Sequence, residues 1–204
     1  NKEIVDLLIS ELNIDVKKID YKMAKRVVIY TSPTEIETNA FKEFVNLKKI
    51  VIPSSVTTFK ADAFRGQEKL KQITFERPIS LTSIEQCAFV HCKSLVQVSI
   101  PSSVTSVGNF LFDNCTSLTK IIIPTSLKSI PRYAFAQCTN LEEVIFQQPS
   151  SVSSLCERCF LECFSLKEIM IPKSVTEIDS AVFYDCKQLE KVTFEKPCSI
   201  KLIE

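Results

Sequence analysis

The feature that most limits what this chain can fold into is a phrase written seven times along it. Two clear copies are Ala88-Phe89 with Cys92 and Leu95, and Ala134-Phe135 with Cys138 and Leu141. The aromatic anchors are Phe41, Phe64, Phe89, Phe112, Phe135, Phe160 and Phe183, spaced by 23, 25, 23, 23, 25 and 23 residues. Pro53, Pro78, Pro101, Pro124, Pro149, Pro172 and Pro197 keep the same beat. A catalytic motif normally occurs once, whereas a phrase that keeps its register over many copies is architecture. Extra residues enter at one point only, just before the proline, as at Glu76–Pro78, Gln147–Pro149 and Glu195–Pro197. That point is expected to be a surface turn.

The copy from Pro101 to Ile123 shows how one unit folds. Its apolar residues are Val104, Val107, Leu111, Phe112, Leu118, Ile121 and Ile123. Ile121, Ile122 and Ile123 alternate in, out and in, the period of a strand with one covered face. The three-residue apolar spacing before Phe112 predicts a turn of helix or an irregular return limb. Such a unit cannot bury its own apolar side, but a stack of units can, with parallel strands about 4.8 Å apart. The expected fold is an α/β repeat solenoid with a parallel β-sheet on its concave face and short helical or irregular return limbs. Ile4, Leu7, Leu8 and Leu12 have amphipathic-helix spacing, so residues 1–26 are expected to form an N-terminal helical cap. Residues 27–204 are then the repeat domain, about seven units of 23–25 residues, with Val27–Tyr30 as the first strand. The chain stops inside an eighth unit at Pro197-Cys198. The expectation is a truncated longer array, or an open edge through which the chain pairs as an oligomer.

These phrases resemble the BspA-like class of leucine-rich repeats. The resemblance is carried by Pro124-Thr125-Ser126-Leu127 with Ile130, followed by Ala134-Phe135, Cys138 and Leu141, and it extends from about Val27 onward. The chain departs from the class at a slot that often holds glycine. Only Gly108 keeps it, while Glu37, Lys60, Glu85, Pro131, Cys156 and Asp179 stand there in other copies. Phe44 and Gln67 replace the cysteine of the first two copies. The resemblance implies a non-enzymatic protein-binding module on a cell surface or secreted, adhering to a host or matrix protein. Its alternative is a cytoplasmic scaffold or regulatory subunit.

Other classes find less support. A net charge of +1 gives no electrostatic pull toward nucleic acid. No apolar run approaches the roughly 18 residues that span a bilayer. The only glycines are Gly66 and Gly108, so there is no phosphate-cradling loop. The single histidine, His91, falls in a variable slot and is expected to be solvated, with Cys92 facing the core. The sequon at Asn114 has its middle residue, Cys115, in the cysteine slot, so it reads as a chance occurrence.

Of the nine cysteines, Cys92, Cys115, Cys138, Cys163 and Cys186 share one slot of the repeat, and Cys159 replaces the alanine before the anchor. A slot that also accepts Phe44 is apolar and buried, where a free thiol acts as a small hydrophobe. Cys87, Cys156 and Cys198 fall at variable, more exposed slots. The competing reading is a zinc or thiol site at Cys156, Cys159 and Cys163, completed by Cys138 or Cys186. Because its thiols already have core positions, no metal or cofactor is assigned.

The outward strand positions form two columns. One holds Val28, Val51, Thr74, Ser99, Ile122, Ile145, Met170 and Thr193. The other holds Arg26, Lys49, Gln72, Gln97, Lys120, Glu143, Glu168 and Lys191. Ile122, Ile145 and Met170 make three successive apolar rungs rimmed by Lys120, Glu143, Glu168 and Lys191. These seven residues and Val51 are the expected partner-binding site. The competing explanation is the β-propensity of Ile and Val.

Overall fold

The computed structural model describes residues 21–29, 32–198 and 200–203. The cap helix expected over 1–26 lies largely outside them, and the described chain opens with a 3₁₀ turn at Tyr21–Met23. Each coil contributes one longer and one shorter strand. In chain order these are β1 (Arg26–Val28), β2 (Glu35–Ile36), β3 (Lys49–Ile52), β4 (Thr58–Phe59), β5 (Gln72–Phe75), β6 (Ser83–Ile84), β7 (Gln97–Ser99) and β8 (Ser106–Val107). The second half continues with β9 (Lys120–Ile123), β10 (Ser129–Ile130), β11 (Glu143–Phe146), β12 (Ser154–Leu155), β13 (Glu168–Ile171), β14 (Glu177–Ile178), β15 (Lys191–Phe194) and β16 (Leu202–Ile203). All pairings are parallel and join each strand to its counterpart one coil away, as with Lys120 opposite Glu143 and Ile122 opposite Ile145.

The helical return limb is the one correction to the expected fold. Among the described residues the limb holds a second parallel ladder and a run of tight turns, and no α-helix. Residues two before and two after each anchor from Phe64 onward sit in the left-handed region, for example Phe110 (φ 57°) and Asn114 (φ 58°) around Phe112, while around Phe41 only Asn39 does. This alternation turns main-chain N–H groups sideways toward the next coil. Phe110, Phe112 and Asn114 donate to the carbonyls of Arg132, Ala134 and Ala136 at 2.9, 2.7 and 2.8 Å. A helix would keep those donors within its own turn. The three-residue spacing of Val104 and Val107 has another cause: Val104 N–H closes a turn onto Pro101 O, and Val107 is the inward residue of β8.

The anchors form the core. The rings of Phe41, Phe64, Phe89, Phe112, Phe135, Phe160 and Phe183 stack in one continuous file, with centroids 4.9–5.7 Å apart and planes within 5–12°. Rings at such separations attract one another beyond their burial. The two-residue insertions leave this file intact: Phe64 and Phe89, separated by 25 residues, still stack at 5.2 Å.

Both ladders are interrupted, and the interruptions have local causes. The longer strands form three blocks, β1-β3-β5, β7-β9-β11 and β13-β15. Each split follows an insertion, after β5 at Glu76-Arg77 and after β11 at Gln147-Gln148. The prolines that end the three insertions, Pro78, Pro149 and Pro197, all follow cis peptide bonds. The shorter strands split once, between β8 and β10. In neighbouring coils the N–H of Glu85, Gly108 and Cys156 bridges to the preceding coil at 2.8–2.9 Å. Pro131 stands at that position in the split coil and has no N–H to give.

Candidate functional site

The cysteine slot is a donor slot. Each thiol of Cys92, Cys115, Cys138, Cys163 and Cys186 donates to the carbonyl of the anchor in the preceding coil, Phe64, Phe89, Phe112, Phe135 and Phe160, at 3.1–3.3 Å. The slot is buried, as its apolar occupants predict. Gln67, 4% exposed, fills it in the second copy, and its Nε2 donates to Phe41 O at 2.7 Å. Cysteine therefore serves as a small side chain carrying one weak donor, which satisfies an otherwise idle carbonyl lone pair. Gln67 was the sequence signal for this role: an apolar slot does not take glutamine.

Burial pushes the Cys115, Cys138, Cys159 and Cys163 thiols well above the usual range. Cys156 and Cys87 are half-buried and raised for the same reason, while Cys198 is exposed. The thiols of Cys156 and Cys159 thus lie in different environments, one near the surface and one fully buried. No group of metal-ligating side chains converges among the described residues. A thiol reagent applied to the native protein at neutral pH is expected to modify Cys198 first and Cys87 and Cys156 slowly. Cys92, Cys115, Cys138, Cys159 and Cys163, all 0% exposed, should react only after unfolding, because the reagent cannot reach them in the folded chain. Mass-spectrometric mapping checks this; early modification of Cys115 or Cys138 would contradict the burial.

His91 is less solvated than its slot suggests. It is half-buried, its Nδ1 is enclosed without a hydrogen-bond partner, and its N–H donates to Asp113 O at 2.9 Å. Its φ of 61° places it in the sideways-turned limb. Cys92 beside it is buried and committed to Phe64 O. The Asn114 amide is also engaged, donating to Gln137 Oε1 at 2.8 Å.

The predicted partner-binding residues divide among the three strand blocks. Val51 lies on β3 in the first block. Lys120, Ile122, Glu143 and Ile145 lie on β9 and β11 in the second, where Ile122 opposes Ile145 and Lys120 Nζ reaches Glu143 at 2.7 Å. Glu168, Met170 and Lys191 lie on β13 and β15 in the third, with Lys191 3.8 Å from Glu168. Ile122 and Ile145 are half-buried and Met170 is 61% exposed. The surface ion pairs contribute on the order of 0–1 kcal/mol each, so they set polarity more than stability.

A ladder of parallel strands with a repeated apolar phrase and a tight-turn return defines a leucine-rich-repeat solenoid. The sequence profile described as "BspA type Leucine rich repeat region" matches six copies, over residues 20–92 and 71–190. The leucine-rich repeat protein of T. pallidum, known from its crystal structure, is 31% identical, with 81% of this chain and 78% of that one covered at a TM-score of 0.72. A leucine-rich repeat protein from Eubacterium ventriosum shares the fold at 21% identity and a TM-score of 0.51, with 98% of this chain and 66% of that one covered. No curated protein matches the sequence. The chain belongs to the BspA-type leucine-rich repeat family. That family points to a protein-interaction module. Among the described residues no helix is long and apolar enough to cross a membrane.

Proposed function

We propose that this chain is a non-enzymatic recognition module, displayed on a cell surface or secreted, that docks a host or matrix protein on its long-strand face. Ile122, Ile145 and Met170 form the apolar centre, Lys120, Glu143, Glu168 and Lys191 the polar rim, and Val51 the outlying contact. The observation that carries the reading is Met170: a large apolar side chain, 61% exposed, in the middle of a strand. An exposed apolar side chain ringed by charge suits the centre of a contact site. The Ile145→Glu, Met170→Glu double variant is expected to abolish capture of the partner while leaving the circular-dichroism spectrum and melting temperature unchanged. Unchanged affinity in a folded double variant would place the contact elsewhere.

A second reading, an intracellular scaffold, draws on the nine cysteines, all free thiols, a pattern suited to a reducing compartment. Biotinylation of intact cells separates the two, since only a displayed protein is labelled.

A further inference from the structure

The inward column of the long strands is open at two places: at β15, the outer strand of its block, where Val192 and Phe194 are exposed, and at one split between blocks, which identifies a second site. Ile50 and Ile52 in the first block, and Ile121 and Ile123 in the second, are buried. Ile73, Phe75 and Val98 occupy equivalent inward positions on the two sides of the split between β5 and β7, yet all three are only partly buried. The split between β11 and β13 does not open in this way, since Val144, Phe146 and Ile169 beside it stay buried. At the first split the result is a cleft of about 300 Å³. Its walls are Ile73, Phe75, Ile79 and Val98, buried Phe59, Phe89 and Phe112 form its floor, and exposed Arg77 stands at its rim.

Charge tells what fits there. The first block carries exposed Arg26, Lys48, Lys49 and Lys71 at its strand starts, with Arg26 and Lys49 in register one rung apart. Together with Arg77 these cations have no ion-pair partner among the described residues. The other blocks are different: there Lys120 meets Glu143 and Lys191 meets Glu168. Glu76 adjoins Arg77 in the chain but does not line the cleft. Like charges stacked on adjacent rungs repel, and an acidic partner would relieve them. The cleft lies at the bottom of the roughly 300–1,000 Å³ range of small-molecule sites, a size for one large side chain.

We infer that the cleft between β5 and β7 receives a single aromatic or branched aliphatic side chain from an acidic, extended segment of a partner protein, with Arg77 and the first-block cations holding the flanking carboxylates. This cleft shares no lining residue with the Ile145 and Met170 face, although β7, which carries Val98, belongs to the same block as Ile145.

The test is fluorescence anisotropy of the full chain with a labelled five-residue acidic peptide carrying a central phenylalanine, beside the same peptide with central alanine. The phenylalanine peptide is expected to bind at least about tenfold more tightly, with affinity falling as salt rises. Arg77→Glu, an exposed change that leaves the core alone, and Val98→Phe, which fills the cleft, should each weaken binding about tenfold. Ile145→Glu should leave it unchanged. Equal binding of the two peptides, no binding of either, or full binding by a folded Arg77→Glu variant overturns the proposal. So does a preference for a sulfated polysaccharide, which would make the site a simple polyanion patch.

Discussion

Phe112→Ala is expected to cost about 3–5 kcal/mol of folding free energy, the range for removing a fully buried phenylalanine. Phe112 is 0% exposed and sits mid-file, 5.1 Å from Phe89 and 5.7 Å from Phe135. Its loss removes two ring contacts and leaves a void that the main chain cannot close, because Phe112 N–H is fixed to Ala134 O at 2.7 Å. The position matters as much as the amount. Stability in a repeat array is close to a sum of unit and neighbour terms, so a gap in the middle weakens the coupling of the two halves. Urea unfolding followed by circular dichroism should show a lower midpoint and a broader or split transition. Phe183→Ala is the comparison. That ring is partly buried and stacks on Phe160, and its removal should cost less. A Phe112→Ala loss under about 1 kcal/mol, or no larger than that of Phe183→Ala, would mean that the file does not hold the coils together.

Gly108→Ala is expected to cost about 1–3 kcal/mol, the usual range for an overpacked site. A Cβ at Gly108 would lie 2.3 Å from Gln86 N and 2.6 Å from Gln86 Cα. Both are main-chain atoms of the preceding coil, so the overlap cannot be relieved by a rotamer change. Gly108 N–H also donates to Ile84 O at 2.8 Å, which holds the two coils at that separation. Glu85 and Cys156 occupy the same slot in other coils without difficulty, so the close approach is local to this coil. β8, which ends just before Gly108, is also the last strand before the split at Pro131. Thermal melts decide the matter: a variant that unfolds within a degree of the parent protein would show that the coils can separate there at no cost.

Much of this could be read before any coordinates. The strand columns follow from alternation, and Arg26, Lys49 and Gln72 fall in register as the repeat count requires. The anchors and the shared cysteine slot are buried because every coil presents them at the same phase. The insertions were visible as well, and so was Pro131 in the glycine slot. Their consequences were not, because a ladder hydrogen bond joins two coils and each coil's sequence describes only itself. The same limit hid the thiol donors: Phe89 O already accepts from Cys92 N–H in its own coil, and that Cys115 reaches its second lone pair shows only when the next coil is stacked on it. The helical limb was misjudged because three-residue spacing suits a helix and a series of turns alike, and only the left-handed residues separate them.

The sequence alone determined the period, the inward faces and the family, since these depend on residue type at a repeating phase. Tertiary structure decided where the sheet opens, which carbonyls the thiols reach and which cations go unopposed. Those properties belong to the approach of one coil to the next, a distance that a two-residue insertion or one missing N–H changes without altering the repeat itself.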